Sequence, residues 1–142
     1  MIFSSWRPAF PDRVRGVYWD IMAVPTPRKV LFVEDESALR NSYQRFFEGR
    51  YTMAYAPNGA EAMRQLAAFQ PDVLVLDMRL PDTDGIALLQ RIRETQPALP
   101  VVVTTAYVSM EPLMNVLDLG HSRYLVKPYD LNELGAAIDA AG

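Results

Sequence analysis

Asp77 closes an apolar run, Val73-Leu74-Val75-Leu76, and leads at once into Met78-Arg79-Leu80-Pro81-Asp82-Thr83-Asp84-Gly85. A carboxylate at the C-terminal tip of a buried strand, opening into a Pro/Gly loop, stands where an open α/β sheet exposes its reactive groups. Glu34 and Asp35 hold the matching position after another apolar run, Val30-Leu31-Phe32-Val33. Carboxylates gathered at adjacent strand ends repel one another unless a cation neutralises them. Hard oxygen ligands of this kind suit Mg²⁺. The chemistry open to this cluster is therefore divalent-cation binding at three carboxylates.

Those acids converge only if the strands that carry them lie side by side and run the same way. From Lys29 onward the chain alternates strand and helix patterns five times. Lys29–Val33, Tyr51–Tyr55, Val73–Leu76, Val101–Thr104 and Arg123–Val126 read as strands. The first, third and fourth are almost continuously apolar, as expected where helices cover both sheet faces. Leu39, Tyr43, Phe46 and Phe47 mark the stripe of a one-sided helix. Ala62, Leu66 and Phe69 mark a second after Asn58, with Glu61 as its capping-box partner. Ile86, Leu89 and Ile92 mark a third, begun at Asp84. A fourth is predicted from about Ser109 to Leu119, with Pro112 in its first turn and Gly120 as the stop. Asp130 and Glu133 cap a fifth, which carries Leu131, Leu134 and Ile138. Repeated strand–helix units with short connections predict a doubly wound parallel sheet.

At 142 residues the chain fits one domain with a self-sufficient core. A net charge of −3 offers no electrostatic footprint for nucleic acid, so no direct DNA binding is expected. Only two of the fourteen basic residues are lysines, Lys29 and Lys127. Cysteine is absent, which excludes disulfides and thiolate metal sites. No apolar stretch approaches the roughly 20 residues a membrane span needs, and no secretory pattern opens the chain. A cytoplasmic protein without membrane partners is expected. Residues 1–28 read as an N-terminal leader of extended or loosely ordered chain, and 29–142 as the folded domain. The leader carries Pro8, Pro11, Pro25 and Pro27 together with Phe3, Trp6, Phe10, Tyr18 and Trp19. Met22 fits an upstream start that adds the leader; a segment packed on the domain or on a second copy is the competing reading.

Four features fall at predicted strand ends: Glu34-Asp35, Asp77, Thr104-Thr105-Ala106 and Lys127-Pro128. Each is weak alone, but together and in this order they resemble the receiver domain of two-component response regulators, in particular the stand-alone chemotaxis type. The resemblance runs from Lys29 to about Ala140. It implies a flavodoxin-like five-stranded sheet in the order 2-1-3-4-5 with helices on both faces. It makes Asp77 the phosphoacceptor, with Glu34, Asp35, Asp77 and the Arg79 backbone carbonyl holding Mg²⁺. Glu34 stands where the family more often has aspartate. Lys127 would neutralise a phosphoryl oxygen and pair with Asp77 beforehand, with the Lys127–Pro128 bond cis. Thr105 would bond the phosphoryl group; Thr104 is its neighbour, expected to point the other way on the pleat. Tyr124 matches the switch aromatic that moves inward with the threonine, though a half-buried strand tyrosine would look the same.

Three departures accompany the match. His121 stands where receivers usually place alanine after glycine, and reads as a surface residue. Arg79 and Tyr107 occupy the two positions that tune attack by water on the aspartyl phosphate, where a long cation and a bulky aromatic would shield it. Glu36, Asp82 and Asp84 read as solvated or helix-capping acids.

The resemblance implies a phosphoacceptor protein and not an enzyme, capable only of self-phosphorylation and autodephosphorylation. A histidine kinase or phosphotransfer protein would supply the phosphoryl group. A downstream protein would dock on the face formed by the fourth helix, fifth strand and fifth helix, for which Met110, Leu113, Met114, Leu117 and Tyr129 contain candidates, although most of them would equally suit the core at helical spacing. Phosphorylation-linked homodimerisation belongs to the same expectation. Because the chain ends after the fifth helix, a stand-alone receiver is expected; a receiver cut from a longer regulator or hybrid kinase is the alternative. Two rivals remain. One is an interaction module that keeps the fold without using phosphate, although such modules normally lose an acid, the threonine or the lysine. The other is a phosphohydrolase, which would want an acid at Arg79.

Overall fold

A computed structural model describes residues 26–106 and 122–141. Nine elements are defined there: β1 (Lys29–Val33), α1 (Ser37–Phe47), β2 (Thr52–Ala56), α2 (Gly59–Phe69), β3 (Val73–Asp77), α3 (Gly85–Thr95), β4 (Val101–Thr105), β5 (Ser122–Val126) and α4 (Leu131–Ala140). The strands form one parallel sheet in the order β2-β1-β3-β4-β5, as the resemblance implied. The leader up to residue 25 and the predicted fourth helix lie outside the described residues, with Tyr107, Met110, Leu113, Met114, Leu117 and His121 among them. α4 therefore corresponds to the fifth predicted helix.

Strand boundaries moved by one residue for identifiable reasons. β2 begins at Thr52 because the Tyr51 N–H turns back to the Phe47 carbonyl at the end of α1, while the Thr52 N–H opens the ladder on the Arg28 carbonyl. β3 and β4 each run one residue further than predicted, to Asp77 and Thr105. Asp77 is in register with Thr104, so the phosphoacceptor candidate belongs to the sheet itself.

Alternation along the strands sorts the core into two layers. Leu31, Val33, Leu74, Leu76, Val101 and Val103 face α2 and α3, where they meet Leu66, Leu88, Leu89 and Ile92. Val30, Phe32, Val73, Val75 and Val102 face α1 and α4, where they meet Tyr43, Phe47, Leu134 and Ile138. The helix starts are polar in the expected way. Asn58 accepts from the Glu61 N–H at 2.8 Å, Asp84 from the Ile86 N–H at 2.8 Å and Asp130 from the Glu133 N–H at 2.8 Å. Each satisfies one orphan donor of a first helical turn. The second half of the expected capping box is not made, because the Glu61 carboxylate turns to Arg64 and Gln65 one turn further on.

Candidate functional site

β1 and β3 are neighbours, and each ends in carboxylates, so the sheet delivers Glu34, Asp35 and Asp77 to one edge. Their oxygens lie within 4.8 Å of one another. Glu34 and Asp77 are each only 3% exposed, whereas Asp35 faces solvent. Both Asp77 oxygens are engaged. Oδ1 accepts from the Arg79 N–H at 2.9 Å, and Oδ2 from the Lys127 ammonium at 2.8 Å. The same ammonium lies 3.8 Å from Glu34 Oε1. Lys127 comes from the far side of the sheet, at the end of β5, and its backbone N–H donates to the Thr105 carbonyl at 2.7 Å. The Lys127–Pro128 bond is cis.

Two acids and one ammonium in a buried space leave a charge to be accommodated. Burial, then the nearby Asp77 carboxylate, pushes the Glu34 carboxyl up to about 8, and the Glu36 N–H and Lys127 offset this only in part. Burial of Lys127 works against its charge, yet Asp77 and Glu34 together hold its ammonium above the ordinary lysine range. Lys127 makes its short contact with Asp77, so Glu34 is the acid that takes up a proton without a further cation. Glu34 Oε1 is buried, and no protein donor reaches it at hydrogen-bond distance. An acceptor-only oxygen in that position, facing two other carboxylates, fits a hard divalent cation.

The loop after Asp77 is tied at several points. Asp84 bridges back to Arg79, and the Gly85 N–H donates to the Met78 carbonyl at 3.3 Å. A Cβ at Gly85 would sit 2.7 Å from Met78 Cα, so only glycine permits this approach. Asp82, expected to be a solvated or capping acid, accepts from the Gly59 and Ala60 N–H groups at 2.8 and 3.0 Å. It therefore caps α2, an element it does not belong to, and anchors the loop that carries Arg79.

The threonines separate as the pleat requires. Both are buried. Thr104 follows Val102 onto the α1/α4 side, whereas Thr105 lies on the opposite face by alternation. Tyr124 pairs in register with Val103 and packs against the α2/α3 layer, which places it on the same face as Thr105. Arg79 is exposed beside Asp77.

Tyr129, a candidate for the docking face in a set of which most could equally be core, is partly buried: its ring packs in the α1/α4 layer and its hydroxyl lies 2.6 Å from that of Tyr43. The turn after Lys127 folds back over α1, where the hydroxyl of the buried Tyr43 needs a hydrogen-bond partner and Tyr129 supplies it. Sequence reasoning placed Tyr43 on a helix stripe but had no signal for a hydroxyl contact spanning 86 residues.

The response regulator receiver domain family matches residues 30–139. The chain is 37% identical over 128 residues to the DNA-binding transcriptional regulator NtrC of Escherichia coli strain K12, covering 89% of this chain and 25% of that protein. It is 40% identical over 114 residues to the response regulator MprA of Mycobacterium ulcerans, covering 79% of this chain and 49% of the relative. It thus spans a quarter to a half of these relatives. The structure of the Francisella response regulator 1452 receiver domain superposes with a TM-score of 0.71 at 30% identity, covering 79% of this chain and 93% of that one. With the family matched over most of its length and the sheet order in agreement, this chain belongs to the response regulator receiver domain family.

Proposed function

We propose that this chain is a phosphoacceptor switch in which Asp77 takes a phosphoryl group from a phosphohistidine donor and changes protein binding in response. The observation that carries this reading is the 2.8 Å contact between the Lys127 ammonium and Asp77, with buried Glu34 beside them at the strand ends. An Asp77 oxygen attacks phosphorus; the O–P bond forms as the N–P bond breaks, and the imidazole leaves with the electron pair. Lys127 then transfers its contact to a phosphoryl oxygen as a mobile point charge. The Thr105 hydroxyl donates to another. Glu34, Asp35, Asp77 and the Arg79 carbonyl would hold Mg²⁺, which screens the incoming phosphoryl charge when bound.

The response is a population shift. Contacts made only by the phosphorylated form favour the arrangement with Thr105 and Tyr124 drawn inward. The surface that includes β5 and α4 then presents a different face to a cytoplasmic partner protein or to a second copy. Among the described residues no helix is long and apolar enough to cross a membrane. Arg79 and Tyr107 shield the aspartyl phosphate; rapid phosphate loss unchanged by Arg79→Ala or Tyr107→Ala would count against that role.

The test is intact mass after incubation with acetyl phosphate and Mg²⁺, comparing wild type with Asp77→Asn. A Mg²⁺-dependent phosphoryl adduct on wild type alone is expected. No adduct, together with failure to bind beryllofluoride, would replace this reading with a phosphate-independent interaction module.

A further inference from the structure

On the α1/α4 side of the sheet, two tyrosine hydroxyls 86 residues apart in the chain meet. Tyr129, in the turn after β5, reaches the hydroxyl of Tyr43 in α1 at 2.6 Å. Tyr43 is 1% exposed and stacks on Phe32 with ring centroids 4.8 Å apart. Phe32 belongs to β1, the strand that ends beside Glu34. The Tyr129 hydroxyl is thus tied through Tyr43 to α1, and through the Tyr43–Phe32 stack to the strand that ends beside Glu34. Burial raises both phenols above the ordinary tyrosine range, which keeps each hydroxyl protonated and able to donate.

This matters because of what lies two residues earlier. Lys127 to Asp130 form no regular element, and past Lys127 itself no backbone bond to the sheet is seen among the described residues. The Lys127 backbone is held on one side by the Thr105 carbonyl at 2.7 Å. On the other side, the anchor is the Tyr129 hydroxyl. Lysine is a flexible four-carbon stem, and its reach to Asp77 depends on where that backbone sits. Two phenylalanines would fill the same volume without hydroxyls that need partners.

We infer that Tyr129, locked to Tyr43, is a positioning residue that holds Lys127 against Asp77. The assignment builds on the proposed phosphoacceptor role, but its first readout does not require phosphorylation. In ¹⁵N-lysine-labelled protein the Lys127 ammonium, closed on Asp77, should give a protected resonance that Asp77→Asn abolishes. Tyr129→Phe keeps the ring and removes the hydroxyl, and the resonance should broaden or vanish. The acetyl-phosphate rate should fall by about tenfold, the scale expected when a reacting group is misplaced by a fraction of an ångström to an ångström.

The double variant Tyr43→Phe/Tyr129→Phe separates positioning from mere packing. Removing both hydroxyls relieves the orphaned Tyr43 group, so thermal stability should recover relative to Tyr129→Phe. The lysine resonance and the rate should remain impaired. A double variant that regains both along with stability would reduce the pair to a packing feature. A Tyr129→Phe protein with an unchanged lysine resonance would overturn the inference outright. Should wild type accept no phosphate, the phosphoacceptor reading falls, and the resonance alone still decides the tyrosine assignment.

Discussion

The two faces of the sheet are built from different materials. The hydrophobic layer beneath α2 and α3 is leucine, isoleucine, valine, alanine and methionine, and none of its buried apolar side chains carries a hydroxyl. The layer beneath α1 and α4 is organised around Phe32, which stacks on Tyr43, Phe47 and Tyr55 at 4.8, 6.0 and 5.6 Å. Its phenols are pinned at fixed points: Tyr43 to Tyr129, and Tyr51 to the Gly135 carbonyl and to Asp139. An aliphatic layer is held by area and tolerates exchange of shape at constant volume. A phenol layer is also held by directed hydrogen bonds, so it transmits the position of one element to another. The contrast suggests a division of labour. One layer supplies bulk stability beneath Thr105 and Tyr124, and the other fixes the acids and Lys127 relative to each other.

The largest test of that contrast is Phe32→Ala. Removing the ring shared by three stacking partners should cost about 3–5 kcal/mol, measured by chemical denaturation. A loss no greater than that of an aliphatic truncation such as Val103→Ala would deny the aromatic layer its central residue.

Next in size is the pH dependence at the strand tips, where the two layers meet the carboxylates. Glu34 has a folded value raised to about 8 from 4.5, principally by burial and then by Asp77. Between those values the folded state binds more protons than the unfolded state. The contribution is therefore fully present below about 4.5 and lost as pH rises through about 8, with a slope of at most about 1.4 kcal/mol per pH unit. Metal-free protein in EDTA should lose stability across that window, and Glu34→Gln should flatten the profile. An equally steep profile in Glu34→Gln would place the titration elsewhere.

Tyr43→Phe comes third. It keeps the stacking on Phe32 but strands the Tyr129 hydroxyl, for an expected loss of about 1–3 kcal/mol. The matched change on the other layer, Leu89→Met, conserves volume and disturbs no polar group, so it should cost less than about 1.5 kcal/mol. If Leu89→Met proved the costlier of the two, the distinction between the layers would fail.

Much of this molecule was legible along the chain. The apolar runs that end in Glu34-Asp35 and Asp77 and the caps at Asn58, Asp84 and Asp130 read correctly, as did Leu39, Tyr43 and Phe47 of the first helix stripe; Phe46, expected in the same stripe, is exposed. Each depends on residues within a turn or a strand of one another, where side-chain periodicity and capping chemistry act locally. The sheet order and the pairing of Lys127 with Asp77 were reached through family resemblance, because no local rule joins residues 50 positions apart.

Asp82 and Tyr129 mark the other limit. Asp82 lies in a loop that its own sequence marks as a turn, yet its carboxylate caps a helix that begins 23 residues earlier. Tyr129 follows a proline near an expected binding face, yet its hydroxyl closes on α1. A single hydroxyl or carboxylate has many satisfactory partners in principle. Composition, hydrophobic alternation and capping patterns settled the elements and the residues able to bind a cation, because those follow from neighbours in the chain. Which acid carries the proton, which helix Asp82 caps and what anchors Lys127 emerged only on folding, when burial raised the cost of leaving each polar group unpaired and packing left one partner within reach.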